Sequence, residues 1–136
     1  PGTIGGTYIG NPLSCAAALA TIQYIKDVDL NKRGTEVGNI IRDRFNSMKN
    51  RFPQIGDVRG LGAMMAMEFV KNNDPRQPDG ELCGAVVKGC AERGLIIISA
   101  GTYKNNIRIL SPLTISNELL HTGLDIIEEE IAKAVS

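Results

Sequence analysis

The sequence predicts an α+β fold: a small, mainly antiparallel sheet of three to four strands covered by helices. Three observations carry this. Two long segments, one in each half of the chain, repeat apolar residues at helical spacing. Short apolar or alternating runs between them are set apart by glycine and proline. Helices and strands follow one another in mixed order, which suits a sheet with helices layered on it.

The elements can be justified in turn. Asn11 is a good N-cap and Pro12 a good first helical residue, so a helix opens there and runs to about Lys26. Its early part, SCAAALA, is rich in small side chains that let another backbone approach closely, so this helix is expected in an interface. Leu30, Gly34, Val37, Ile41, Phe45, Met48 and Phe52 then step by four and three, the stripe of a long amphipathic helix. Pro53 disfavours helix at Phe52 and ends it. From Ile55 the period changes, and IGDVRGLGAMMAMEFV reads as strand, tight turn, strand, ending at Val70. KNNDPRQPDG is a loop. ELCGAVVKGCAERG is a short helix with Leu82, Val86 and Cys90 on one side, stopped by Gly94. LIIIS, apolar and β-branched, is expected to be a buried strand. NNIRILS alternates, with Ile107 and Ile109 on one face and Arg108 on the other, and Pro112 closes it. Ser116 can cap a last helix whose stripe is Leu120, Leu124, Ile127, Ile131 and Val135.

Composition narrows the function classes. The 136 residues are enough for one domain with a real core. Fifteen basic and fifteen acidic residues cancel, which argues against nucleic acid as the main partner. No apolar stretch approaches the roughly 20 residues of a membrane span. The three cysteines, Cys15, Cys83 and Cys90, form no CxxC pair and read as reduced and cytosolic. Cys83 and Cys90, seven apart, would share a helix face and pack rather than bind a metal.

Several residues invite a chemical reading. Gly5, Gly6 and Thr7 precede a capped helix; converging backbone N–H groups and a hydroxyl there suit a phosphate, although taken alone the pair of glycines reads as a turn. Arg59 in RGLGAM can meet an anion or simply sit beside a glycine-rich turn, and the turn is the better default. Arg108 lies within the apolar IRIL, where a charge is costly unless paired. Spacing leaves two partners equally open: a substrate carboxylate or a structural Asp or Glu. His121, the one histidine, has no acid–nucleophile set near it in sequence and reads as a surface residue. Met64, Met65 and Met67 read as core or interface filler, and the EEE run at 128–130 as a solvated helix face.

Taken in order, GGTYIGNPLSCAAALATI, IGDVRGLGAMMAMEF, GLIIISAGTYKNNIRILSPLTI and the terminal helix resemble the C-terminal part of class III pyridoxal-phosphate aminotransferases, most nearly the 4-aminobutyrate enzymes of bacteria. The resemblance covers essentially the whole chain. It implies the small C-terminal domain of a fold type I aminotransferase (residues 30–136), preceded by a glycine-rich phosphate loop and linking helix (residues 1–29). The start within a glycine-rich loop is then expected of a fragment.

The resemblance also implies roles. Gly5, Gly6 and Thr7 would meet the phosphate of pyridoxal 5'-phosphate bound in the partner subunit of a homodimer. Arg108 would hold a substrate carboxylate, with Gly101 lining the same region, and Arg59 to Gly62 would shape the sheet edge. The parent would be a cytoplasmic transferase moving the amino group of 4-aminobutyrate to 2-oxoglutarate, its partners being the amino acid, the 2-oxo acid and its own large domain. The Schiff-base lysine of the family lies upstream of GGT, and none of the seven lysines here stands in that context. The chain alone is therefore expected to be inactive, with its first ten residues either mobile in isolation or held by a neighbouring molecule. Another class III ω-amino acid or ornithine-type transaminase remains an alternative, as does a stand-alone binding module.

Overall fold

The computed structural model describes residues 5–136. Gly2 and Thr3 of the opening loop, and that part of the expected mobility, lie outside the described residues. The chain divides into two compact units, residues 1–33 and 34–136.

In the first unit a turn over residues 7–10 leads into α1 (Pro12–Asp27). Asn11 caps it, its Oδ1 accepting from the backbone N–H of Leu13 (3.0 Å) and of Ser14 (3.2 Å). No residue of α1 is buried. Its apolar side chains, including Leu13 and Leu19, are largely exposed.

The second helix, α2 (Leu30–Arg51), carries the expected stripe into the second unit: Val37, Ile41, Phe45 and Met48 are fully buried. The sheet follows: β1 (Ile55–Leu61) and β2 (Met64–Phe69) form a hairpin, and β3 (Ile98–Ala100) and β4 (Asn106–Ile109) a second antiparallel pair. The order is β1-β2-β4-β3, antiparallel throughout. Gly62 takes a positive φ at the first position of the two-residue hairpin turn, where glycine is favoured. Between the pairs runs α3 (Gly80–Glu92), capped by Asp79 and ended at Gly94, whose φ is +81°. The final helix is α4 (Asn117–Ala134), capped by Ser116.

Alternation splits the sheet into two faces. Met65, Met67, Phe69, Ile107 and Ile109 point into one core shared with the stripes of α2, α3 and α4. Cys83 and Cys90 lie together in that core, as their spacing predicts. The opposite face carries Asp57, Arg59, Leu61, Met64, Ala66, Glu68, Asn106 and Arg108.

Two expectations need correction. LIIIS is not a buried strand: only Ile98 and Ser99 of it join β3, which lies at the sheet edge, and Ile96 is 88% exposed. An edge strand has a neighbour on one side only, so a continuous apolar run need not be covered. The EEE run is not a solvated face either. Glu130 is buried, and Glu128 pairs with Arg44 (2.6 Å) and with Arg51 of α2. Only Glu129 is exposed. Met64, unlike Met65 and Met67, is half exposed.

Candidate functional site

The loop of the first unit is built for close approach. Among the described residues nothing lies within 4 Å of where a Cβ on Gly5 would stand, and a Cβ on Gly6 would face only the Ile9 side chain, at 3.4 Å. The Ile9 N–H donates to the Gly6 carbonyl (3.2 Å), folding the chain so that the exposed Thr7 sits in the turn. Because Asn11 already takes the free N–H groups of Leu13 and Ser14, an anion here would meet the loop and Thr7 rather than the helix end.

In the second unit the outer sheet face is arranged in rows across the strands. Asp57, Glu68 and Asn106 are register partners in one row; Arg59, Ala66, Arg108 and Ile98 form the next. In the following row Leu61 opposes Met64.

The two arginines differ sharply in environment. Arg59 Nη1 donates to Asp57 Oδ2 (2.7 Å) and Glu68 Oε2 (2.6 Å), and its Nη2 donates to Asn106 Oδ1 (2.8 Å). Asn106 Nδ2 donates to Asn105 Oδ1 (3.0 Å), and Asn105 Nδ2 to the Phe69 carbonyl (2.9 Å). Hydrogen bonds to Asp57 and then Glu68 raise the Arg59 pKa above its ordinary value. Arg108 is exposed, and its guanidinium makes no hydrogen bond or ion pair among the described residues. No acid among the described residues therefore offsets its charge.

Arg108 lines a cavity of about 480 Å³ whose walls are otherwise mostly apolar, among them Ile97, Ile98, Leu110 and Leu119. Ser111 also lines it, and its Oγ is buried with no hydrogen-bond partner. Sequence reasoning passed over Ser111; a hydroxyl closing the apolar run IRIL was the available signal. Gly101 sits in the turn before β4 with φ +84°, and a Cβ added there would stand 2.8 Å from Asn106 Nδ2. It backs the asparagine pair and is not among the residues lining the cavity.

The remaining candidates give no chemistry. His121 is exposed on α4. Among the described residues no group of three or more His, Cys, Asp or Glu could hold a metal. No described helix is long and apolar enough to cross a membrane.

Residues 1–131 match the family described as Aminotransferase class-III. A probable 4-aminobutyrate aminotransferase of Bacillus subtilis (strain 168) is 48% identical over 128 residues, which are 94% of this chain and 29% of that protein. A 5-aminovalerate aminotransferase of Pseudomonas putida is 45% identical over 133 residues, 98% of this chain and 31% of that protein. Among solved structures, acetylornithine aminotransferase from Elizabethkingia anophelis superposes with a TM-score of 0.79 at 32% identity, covering 98% of this chain and 33% of that one. The chain thus spans about three-tenths of the length of the curated relatives it matches.

Proposed function

This chain belongs to the class-III aminotransferases, and from that premise we propose that it is the C-terminal domain of a fold type I, pyridoxal 5'-phosphate-dependent transaminase. The whole enzyme moves the amino group of 4-aminobutyrate to 2-oxoglutarate, giving succinate semialdehyde and glutamate. Residues 30–136 form the small domain, and residues 1–29 the phosphate loop and linking helix. The enzyme works as a cytoplasmic homodimer, and this chain alone catalyses nothing.

The observation that carries the reading is the free guanidinium of Arg108 beside an apolar cavity. A planar fork held on a strand suits a carboxylate at two points. Apolar walls suit the methylene chain of an ω-amino acid and exclude water from it. The buried, unpartnered Ser111 Oγ offers one further polar contact.

The loop residues fit the cofactor's phosphate. Gly5 leaves open space where a side chain would stand, and Thr7 adds an exposed hydroxyl. Pyridoxal phosphate, when bound, supplies the electron sink for amino-group transfer. In this scheme Gly5, Gly6 and Thr7 hold the phosphate of the partner subunit's cofactor, Arg108 orients the substrate carboxylate, and Gly101 shapes the turn that leads into the Arg108 strand.

The test is a panel of amino donors on the full-length enzyme, with 2-oxoglutarate as acceptor and glutamate as readout. We expect 4-aminobutyrate to give the highest kcat/KM. The Pseudomonas putida relative named for 5-aminovalerate favours that donor as a second reading. The two donors differ by one methylene, which a hydrophobic pocket resolves by only about 10–200-fold. Absence of glutamate formation from either donor would overturn the ω-amino acid reading.

A further inference from the structure

A short ladder sets the place of Arg108. β4 meets β2 through four register pairs, from Met65 with Ile109 to Glu68 with Asn106, and on its other side has only the three residues of the edge strand β3. A slip of one residue would turn Arg108 into the core and bring the buried Ile107 and Ile109 out, so the alternation opposes it. A slip of two residues keeps every side chain on its face and would carry Arg108 about 7 Å along the sheet. Alternation alone does not exclude that.

Asn105 supplies the missing stop. It stands just before β4, is 2% exposed, and meets the Phe69 main chain twice. Its carbonyl accepts from the Phe69 N–H (2.7 Å), and its Nδ2 donates to the Phe69 carbonyl (2.9 Å). Together the two bonds close the ring of a hydrogen-bonded antiparallel pair, with a side-chain amide in the position of the backbone N–H.

We infer that Asn105 is a positioning residue that fixes the register of β4 on β2, and thereby the height on the outer sheet face at which Arg108 meets a substrate carboxylate. The inference rests on the proposed role of Arg108, and it holds whatever else in the whole enzyme meets that guanidinium.

Three features support this. First, the Phe69 carbonyl already accepts from the Asp79 N–H (3.0 Å), so the Asn105 amide is not needed merely to satisfy it. Second, the amide is held from its other end. Asn105 Oδ1 accepts from Asn106 Nδ2 (3.0 Å), and Asn106 Oδ1 accepts from Arg59 Nη2 on β1 (2.8 Å). A buried amide is costly without partners, so this chain of bonds favours one placement of Asn105 over its neighbours. Third, the β3–β4 turn is shaped around the pair. Lys104 takes a φ of +52° and its N–H donates to the Gly101 carbonyl (3.1 Å), which delivers Asn105 to β2. Gly101 leaves the space that the Asn106 amide occupies.

Without the Asn105 side chain, β4 keeps its faces but loses the stop at its N-terminal end. Arg108 then presents its guanidinium over a spread of positions. Carboxylate binding weakens, while reacting groups elsewhere are untouched.

The experiment uses the full-length holoenzyme and the variants Asn105→Ala, Arg108→Gln and the double variant, with KM for 2-oxoglutarate and kcat measured separately. Asn105→Ala should raise KM about three- to tenfold, because a loosened fork loses part of what a charged hydrogen bond contributes, with kcat nearly unchanged. In the Arg108→Gln background the same substitution should change KM by less than about twofold, because the group it acts through is gone. Ile41→Val, a conservative core change on α2, is the stability control: it should lower the melting temperature and leave KM unchanged. A merely structural Asn105 would behave as Ile41 does. If Asn105→Ala does not fold, Asn105→Ser, which keeps one polar atom, carries the same comparison. An unchanged KM in the folded Asn105 variant, or an equal rise in KM with and without Arg108, overturns the inference. Arg108→Gln separates the two levels. If it raises KM while Asn105→Ala does not, this inference alone falls. If it leaves KM unchanged, the carboxylate role of Arg108 falls and the inference with it.

Discussion

Gly38 on α2 presses its bare α-carbon against the carbonyl of Gly62 in the β1–β2 turn, so closely that a Cβ would overlap the oxygen. The obstructing atom is backbone, so it cannot swing aside as a side chain would. Gly38→Ala should therefore destabilise the chain by about 1–3 kcal/mol, offset by the roughly 1 kcal/mol that alanine gains in a helix. Gly84 on α3 is the control, because nothing lies within 4 Å of its Cβ position. Gly84→Ala should stabilise by about 0.5–1 kcal/mol. Thermal melts of the two variants should shift in opposite directions; a shared direction would refute the close approach at Gly38.

Arg108 has no structural partner among the described residues, so replacing it should spare the fold. In the full-length enzyme Arg108→Lys keeps the charge and loses the planar fork. A charged hydrogen bond contributes roughly 1.5–3 kcal/mol, so KM for glutamate and 2-oxoglutarate should rise about tenfold or more. The melting temperature should stay near the parent's. An unchanged dicarboxylate half-reaction would remove Arg108 from the site.

Thr7 presents an exposed hydroxyl in a turn that supports no core. Thr7→Val in the full-length enzyme should weaken cofactor retention while leaving the melting of residues 34–136 unaltered. Titration of the apoenzyme with pyridoxal phosphate measures this; undiminished affinity would exclude a phosphate contact at Thr7.

The three thiols should separate cleanly. Burial pushes Cys83 and Cys90 up to about 11, with Asp79 adding to the shift at Cys83 and Glu130 at Cys90. Cys15 is exposed. At pH 8 a disulfide reagent should label Cys15 quickly and the other two only on denaturation. Rapid labelling of all three would mean that the core opens readily.

Asp74 is held at about 2, below its usual 3.8, chiefly by the Arg76 guanidinium, with the Arg76 N–H and the Gln77 amide adding to it. The folded loop binds this proton less readily than the unfolded chain. Its contribution to stability is thus present above about pH 4 and lost as pH falls towards 2. A carboxyl NMR titration should place the Asp74 midpoint near 2, and Arg76→Ala should move it up towards 3.8. A midpoint unmoved by Arg76→Ala would show that the fork is not its cause.

Much of this protein is local in origin. The stripes of α2 and α4, the caps at Asn11 and Ser116, the glycine stop after α3 and the alternation around Arg108 are set by residues within a few positions of one another. Helical and strand periods are properties of a single segment, so each element could be read along the chain. What surrounds an element could not. The apolar LIIIS is uncovered in part because β3 falls at the sheet edge, a matter of strand order. Glu128 is held by Arg44 and Arg51 of α2, and Glu130 lies against Gly89 of α3, all remote in sequence. The identity of the arginine left free was decided in the same way. Arg59 and Arg108 sit in similar strands with Glu68 diagonal to both, yet among the described residues Asp57, Glu68 and Asn106 meet Arg59 and no side chain meets the Arg108 guanidinium. Coulombic and hydrogen-bonding partners depend on distance in space, and the chain's own periodicity carries no record of that distance.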